Sequence, residues 1–188
     1  MKMINRKFVW LVLSLIIFSL QANAQEKITY SFVLTNTGKK AYQNLVDTNL
    51  FALGGIGYSG STSDGEKSLD ILLQEREGKK ALQELAKTVS SEGGLYALIG
   101  LKMLKCDCFV EAVNDYKKLP EPPERKGYIG KTAAGAVTRM SGCFISWQKR
   151  LEVAEEIVKG DFDEEIEWKI RLKEQKENQV LEQMRKNQ

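Results

Sequence analysis

Between Ser63 and Tyr116 apolar residues recur at helical spacing four times, and this restricts the available folds more than anything else in the chain. Leu69, Leu72 and Leu73 form an i, i+3, i+4 stripe that ends before Gly78. Leu82, Leu85, Ala86 and Val89 form a second, broken by Ser90-Ser91-Glu92-Gly93-Gly94. The third segment, Leu95 to Leu104, reads LYALIGLKML and is apolar nearly all round, which predicts a helix at the buried centre. Phe109, Ala112, Val113 and Tyr116 give the fourth stripe. Helices this short cannot bury a stripe alone, so they must pack as antiparallel neighbours over short links. The predicted class is mainly α: a compact bundle or layer of short antiparallel helices, like paired-helix repeats. No sequence period establishes a true repeat.

The flanks read differently. Ile28, Tyr30, Phe32 and Leu34 alternate as in a short strand or an extended arm, and Tyr42, Leu45, Val46 and Leu50 return to helical spacing. Pro120, Pro122 and Pro123 end the helical layer. The small and β-branched residues from 131 to 147 then predict extended chain packed back on the helices. Leu151, Val153, Ala154, Ile157 and Val158 mark one further helix, stopped by Gly160. Residues 161–188 carry eight acids and six bases among 28 residues. Their sparse apolar line, Ile166, Ile170, Val180, Leu181 and Met184, is too thin for a coiled-coil seam, so a solvated charged helix or tail is expected.

Residues 1–24 have the layout of a cleaved signal peptide. Lys2, Arg6 and Lys7 precede an apolar run from Phe8 to Leu20, and Ala22-Asn23-Ala24 places small residues before Gln25. That run is short for a membrane span, for which about 20 residues are usual. The expected organisation is therefore 1–24 signal peptide, 25–160 a single helical domain, and 161–188 the charged tail. The expected location is the periplasm or the exterior, with no stable membrane span after cleavage. Lys2, Arg6 and Lys7 are three of the 28 basic residues, so the remainder balances 25 bases against 25 acids. A neutral chain has no whole-domain footprint for nucleic acid.

There is no histidine. Ser-His-Asp triads, Cys-His pairs and His-ligated zinc are thereby excluded, and no cofactor is expected. Export implies an oxidising compartment, so the three cysteines predict a disulfide. Cys106 and Cys108 are only two apart, which favours pairing elsewhere; the expected bond is Cys108 with Cys143, or Cys106 in place of Cys108. A soft-metal C-x-C site with Cys143 as third ligand is the rival reading, though no fourth ligand is evident and no metal is expected.

The segment from Phe51 to Leu69 contains G-x-G-x-x-G at Gly55, Gly57 and Gly60. A dinucleotide loop needs a preceding strand and a helix that starts within the motif. Here the helix starts later, at Ser63, where Ser63-Asp64-Gly65-Glu66 has the form of a capping box. In a capping box the serine accepts from the Glu66 N–H and the Glu66 carboxylate returns to the Ser63 N–H. The glycines are then spacers between helices. Tyr58 is expected to plug into or cover the core, unless the loop is a partner or anion site. In that second reading Tyr58, Ser59, Ser61, Thr62, Ser63 and Glu66 are the contact residues.

The blocks FALGGIGYSGSTSDGE, GGLYALIGLKML and MSGCFIS, in this order, resemble a family of small exported bacterial proteins in which a Gly-rich S-x-G-E loop precedes helices and a later S-G-C element. The resemblance covers about Asn44 to Ser146 and implies a shared helical fold and export, but no reaction. With no catalytic constellation, the expected function is that of a non-enzymatic binding protein of the cell envelope, immunity- or adaptor-like, whose partner is another envelope protein. The alternatives are a structural or stress-related envelope protein without a discrete ligand, and an enzyme using Asp64 and Glu66 beside Ser63 and Lys67.

Overall fold

The structure is a computed structural model and describes residues 31–186. The expected signal peptide and the alternating positions Ile28 and Tyr30 lie outside the described residues. From Phe32 onward the chain forms one compact unit.

Seven helices are present among the described residues: α1 (Asn36–Asp47), α2 (Asp64–Leu72), α3 (Gly78–Thr88), α4 (Glu92–Met103), α5 (Phe109–Lys118), α6 (Arg150–Lys159) and α7 (Asp163–Lys186). Each early helix buries most of the stripe its spacing predicts, while Val46, Leu73, Val89 and Phe109 are only half-buried. In α1 the buried part is Ala41, Tyr42 and Leu45, and Thr35 starts the helix by accepting from the Gly38 N–H at 3.0 Å. α3 buries Ala81, Leu82, Leu85 and Ala86, and α5 buries Ala112, Val113 and Tyr116. α4 is buried at every position from Glu92 to Leu101 and packs against all the other helices. A helix apolar all round needs neighbours on every side, and α4 has them. The fold is mainly α.

The expected extended segment is two antiparallel hairpins. β1 (Arg125–Gly127) pairs with β2 (Gly130–Thr132), and β3 (Ala136–Ser141) pairs with β4 (Phe144–Lys149) in the register Val137 to Gln148 and Arg139 to Ser146. Two buried charges fasten them to the helices. Glu92, at the start of α4, accepts from the Thr138 N–H at 2.7 Å and pairs with Arg125. Arg150 donates to the carbonyls of Tyr116, at 2.9 Å, and Leu119, which are terminal acceptors of α5. A cation at a helix C-terminus satisfies carbonyls that have no partner in the helix and meets the negative end of its dipole. On its other edge β3 takes up Phe51, whose N–H donates to the Thr138 carbonyl at 2.8 Å and whose carbonyl accepts from Met140 at 2.9 Å.

The boundary expected at Gly160 falls inside the compact unit. Gly160 ends α6 in the left-handed conformation, but Phe162 and Ile166 are then buried, and the Phe162 ring stands edge-on to Phe51. The first turns of α7 are part of the core; Val180, Leu181 and Met184 farther along are exposed, as a solvated helix requires. No helix among the described residues is long and apolar enough to cross a membrane.

The cysteine pairing differs from expectation. Cys106 is bonded to Cys108, with Cα atoms 5.0 Å apart, and Cys143 is free and exposed. Two local features bring this about. Lys105 has φ 47°, a left-handed turn after α4 that folds the next residues back on themselves. Cys143 sits in the turn of the β3–β4 hairpin, which is held to the loop at Gly57. While the two C-x-C sulfurs are bonded to each other, neither is the thiolate that the rival metal reading requires, and Cys143 is held apart in the hairpin turn.

Candidate functional site

The Gly-rich segment is a small ordered turn. Ile56 and Ser61 exchange both backbone hydrogen bonds, at 2.9 and 3.0 Å, and so close Gly57-Tyr58-Ser59-Gly60 into a tight reversal. Gly57 and Gly60 have φ of 67° and 62°, values that side-chain-bearing residues rarely adopt. The Gly57 N–H also donates to the Gly142 carbonyl at 2.9 Å, pinning the turn to the end of the β3–β4 hairpin.

Tyr58 stands at the apex of this turn, fully exposed. The expectation that it plugs or covers the core is therefore wrong. A four-residue reversal pinned through its backbone leaves the apex side chain facing outward. Ser59 and Ser61 hydrogen-bond each other at 2.6 Å, and both are exposed, as is Thr62. Phe144, just past the turn that Gly57 holds, is 84% exposed.

Ser63 and Glu66 have another role. Ser63 caps α2 as predicted, its hydroxyl accepting from the Glu66 N–H at 3.0 Å. The same hydroxyl lies 2.9 Å from the Tyr96 hydroxyl and 3.2 Å from the Ala52 carbonyl, so the cap is sunk in a buried polar cluster. Tyr96 also accepts from the Ala52 N–H at 2.8 Å. Burial raises the Tyr96 phenol far above its ordinary value, with the nearby Glu66 and Glu92 carboxylates adding to the shift.

The second half of the capping box does not form. Instead of returning to Ser63, Glu66 is buried and turns to Lys169 of α7, with Oε1 2.7 Å from Nζ. Lys169 also donates to both oxygens of Asp70, at 2.9 and 3.1 Å. Lys169 therefore joins α2 to α7 through two carboxylates, an ion pair with Glu66 and hydrogen bonds to Asp70. Beside it lies a cleft of about 250 Å³ lined by Thr62, Glu66, Met103, Trp168 and Leu172 among others.

The expected contact residues therefore split. Tyr58, Ser59, Ser61 and Thr62 are presented to solvent, whereas Ser63 is buried in the cap cluster and Glu66, itself buried, forms part of the wall of the cleft beside Lys169. The carboxylates of the enzyme alternative do not converge: Asp64 pairs with Lys67 at 2.9 Å on the surface, and Glu66 points to Lys169. Sequence reasoning missed Phe144 and Lys169. For Lys169 a signal existed: with Ile166 and Ile170 it makes an i, i+3, i+4 set, which places the lysine on the apolar line of its helix.

Comparison with protein-family models, with curated proteins and with solved structures finds no match to this chain.

Proposed function

We propose that the protein is an exported, non-enzymatic binding protein of the cell envelope, of the immunity or adaptor kind. It docks another envelope protein through the apex of the Gly-rich turn and the adjoining end of the β3–β4 hairpin. The observation that carries this reading is Tyr58, wholly exposed on a backbone already held by the Ile56–Ser61 and Gly57–Gly142 hydrogen bonds. A large side chain on a pre-ordered turn costs little further entropy on binding, and tyrosine is among the residues that anchor interfaces. Phe144 extends the same face with a second exposed ring. The pairing of α1 with α2 and of α3 with α4 supports reading the helical part as a layer of antiparallel helix pairs.

The test is capture from an envelope extract, with the chain after Ala24 as bait. One specific partner should be retained by the wild type and lost on Tyr58→Ala and on Phe144→Ser. Retention of that partner unchanged by both substitutions, or no partner at all, removes the support for this face.

A further inference from the structure

We infer that Cys106 and Cys108 are a redox-active pair that passes its disulfide to a dithiol substrate, with Cys108 as the sulfur attacked. This goes beyond the docking role and uses a different part of the molecule. The bond joins residues separated by a single position. So short a ring removes little freedom from the unfolded chain and is a poor staple. The backbone around it is already fixed: Cys106 N–H donates to the Leu101 carbonyl at 3.1 Å, Phe109 N–H to Cys106 at 3.0 Å, and Ala112 N–H to Cys108 at 3.0 Å. The fold gains little from the bond, and what the bond offers is its chemistry.

The two sulfurs are not equivalent. Cys106 is buried at 8% exposure, whereas Cys108 is half-buried and can be reached. Cys108 is the residue at the N-cap of α5, where unpaired N–H groups and the positive end of the helix favour a thiolate. Its own N–H donates to Cys106 Sγ at 3.1 Å, which favours negative charge on that sulfur too. The one acid between them, Asp107, is exposed and paired with Lys79 at 3.3 Å, which offsets the negative charge that its carboxylate brings to 3.7 Å from Cys106 Sγ.

The exchange balances as follows. A substrate thiolate attacks Cys108 Sγ, the Cys106–Cys108 bond breaks, and the electron pair departs on Cys106 Sγ. The second substrate thiolate attacks the substrate sulfur of the mixed disulfide, and the electron pair departs on Cys108 Sγ. Two electrons and two protons pass from the dithiol to the protein, and the substrate leaves as a disulfide. Because the Cys108 thiolate is stabilised at the start of α5, the reduced form is favoured and the pair acts as an oxidant. A low-molecular-weight disulfide such as glutathione disulfide restores it by the reverse exchange. No histidine is needed.

The experiment equilibrates the purified protein carrying Cys143→Ser, so that only the pair reacts, in glutathione buffers of rising reduced-to-oxidised ratio. Free thiols are then alkylated and counted by mass. The pair should form in excess glutathione disulfide and open in millimolar reduced glutathione. With oxidised glutathione, Cys106→Ser should accumulate a mixed disulfide on Cys108, and the adduct on Cys106 in Cys108→Ser should form at least about tenfold more slowly. A bond that survives the whole range is structural, and a bond that never forms is no redox pair; either result overturns the inference. Equal adduct rates overturn the assignment to Cys108. Should a single-serine variant fail to fold by circular dichroism, the titration of the intact pair decides alone.

Discussion

Glu66 and Lys169 meet at 2.7 Å with side chains only 3% and 9% exposed, joining the first turn of α2 to α7. Removing one partner of such a pair leaves the other as an uncompensated buried charge, which costs about 3–5 kcal/mol. Lys169→Met should therefore lower stability in urea by about 3 kcal/mol, since Asp70 keeps partial access to water and shares the loss. Adding Glu66→Gln should recover part of that, because the stranded charge goes with it. A loss within about 0.5 kcal/mol for Lys169→Met would place the pair with ordinary surface substitutions and refute its structural weight.

Gly65 is a close-approach glycine. A Cβ at that position would lie 2.4 Å from the Tyr96 ring. Gly65→Ala must displace the ring that holds Ser63 and Ala52, and overpacking of this kind costs about 1–3 kcal/mol. Thermal unfolding should show the drop, and a wild-type midpoint would mean that α4 yields more freely than its complete burial implies.

Tyr58→Ala should leave stability within about 0.5 kcal/mol of wild type, because the side chain touches no core. The same variant should lose the captured partner. A clear fall in stability would show that Tyr58 supports the fold and would undercut the docking face.

The segment before α1 should detach in acid. Thr35 N–H donates to Glu75 at 3.1 Å, and its hydroxyl also hydrogen-bonds that carboxylate; Val33 N–H donates to Glu77 at 2.5 Å. Hydrogen bonds from Thr35 hold the Glu75 carboxyl below its ordinary value of 4.5, and those from Lys80 and Val33 do the same for Glu77. A depressed carboxyl contributes stability above its unfolded value and loses it as pH falls through the folded one. Protection of the Val33 and Thr35 amides, relative to their intrinsic exchange rate at each pH, should therefore fall below about pH 4.5 while α4 amides stay protected. Equal protection of Val33 and Thr35 at pH 3 and pH 7 would contradict it.

At the alkaline end the sign reverses. Burial raises the phenols of Tyr96 and Tyr116 well above 10.0. A raised group gives its full stability below the unfolded value and loses it as pH climbs through the folded one. Both tyrosines should ionise only as the chain unfolds, so phenolate absorbance attributable to them should coincide with loss of circular dichroism. Ionisation of Tyr96 ahead of that loss would show that its hydroxyl is less enclosed than the Ser63–Ala52 cluster implies.

Much of the helical layer was legible in the sequence because its signals are local. Leu82, Leu85 and Ala86 face inward at the spacing they show as letters, and the all-apolar run of α4 is the buried centre. Ser63 caps α2 because a cap needs only its own next turn. Of the contact face, Ser59, Ser61, Thr62 and Tyr58 were all named from the sequence, but for Tyr58 the sequence left open whether it faces the core or the solvent. Its direction depends on a hydrogen bond from Gly57 to Gly142, and nothing in the loop's own letters specifies that distant acceptor.

The sequence by itself determined which segments are helical and which of them is surrounded, since periodicity acts over a few residues. The tertiary structure decided where Glu66 sends its carboxylate, which cysteines bond, and that the start of the charged C-terminal helix belongs to the core. Those outcomes turn on which distant groups approach. Asp70 and Lys169 are 99 residues apart, and each residue's chemistry allowed several partners. Only packing around α4 brought one of them to within hydrogen-bonding reach.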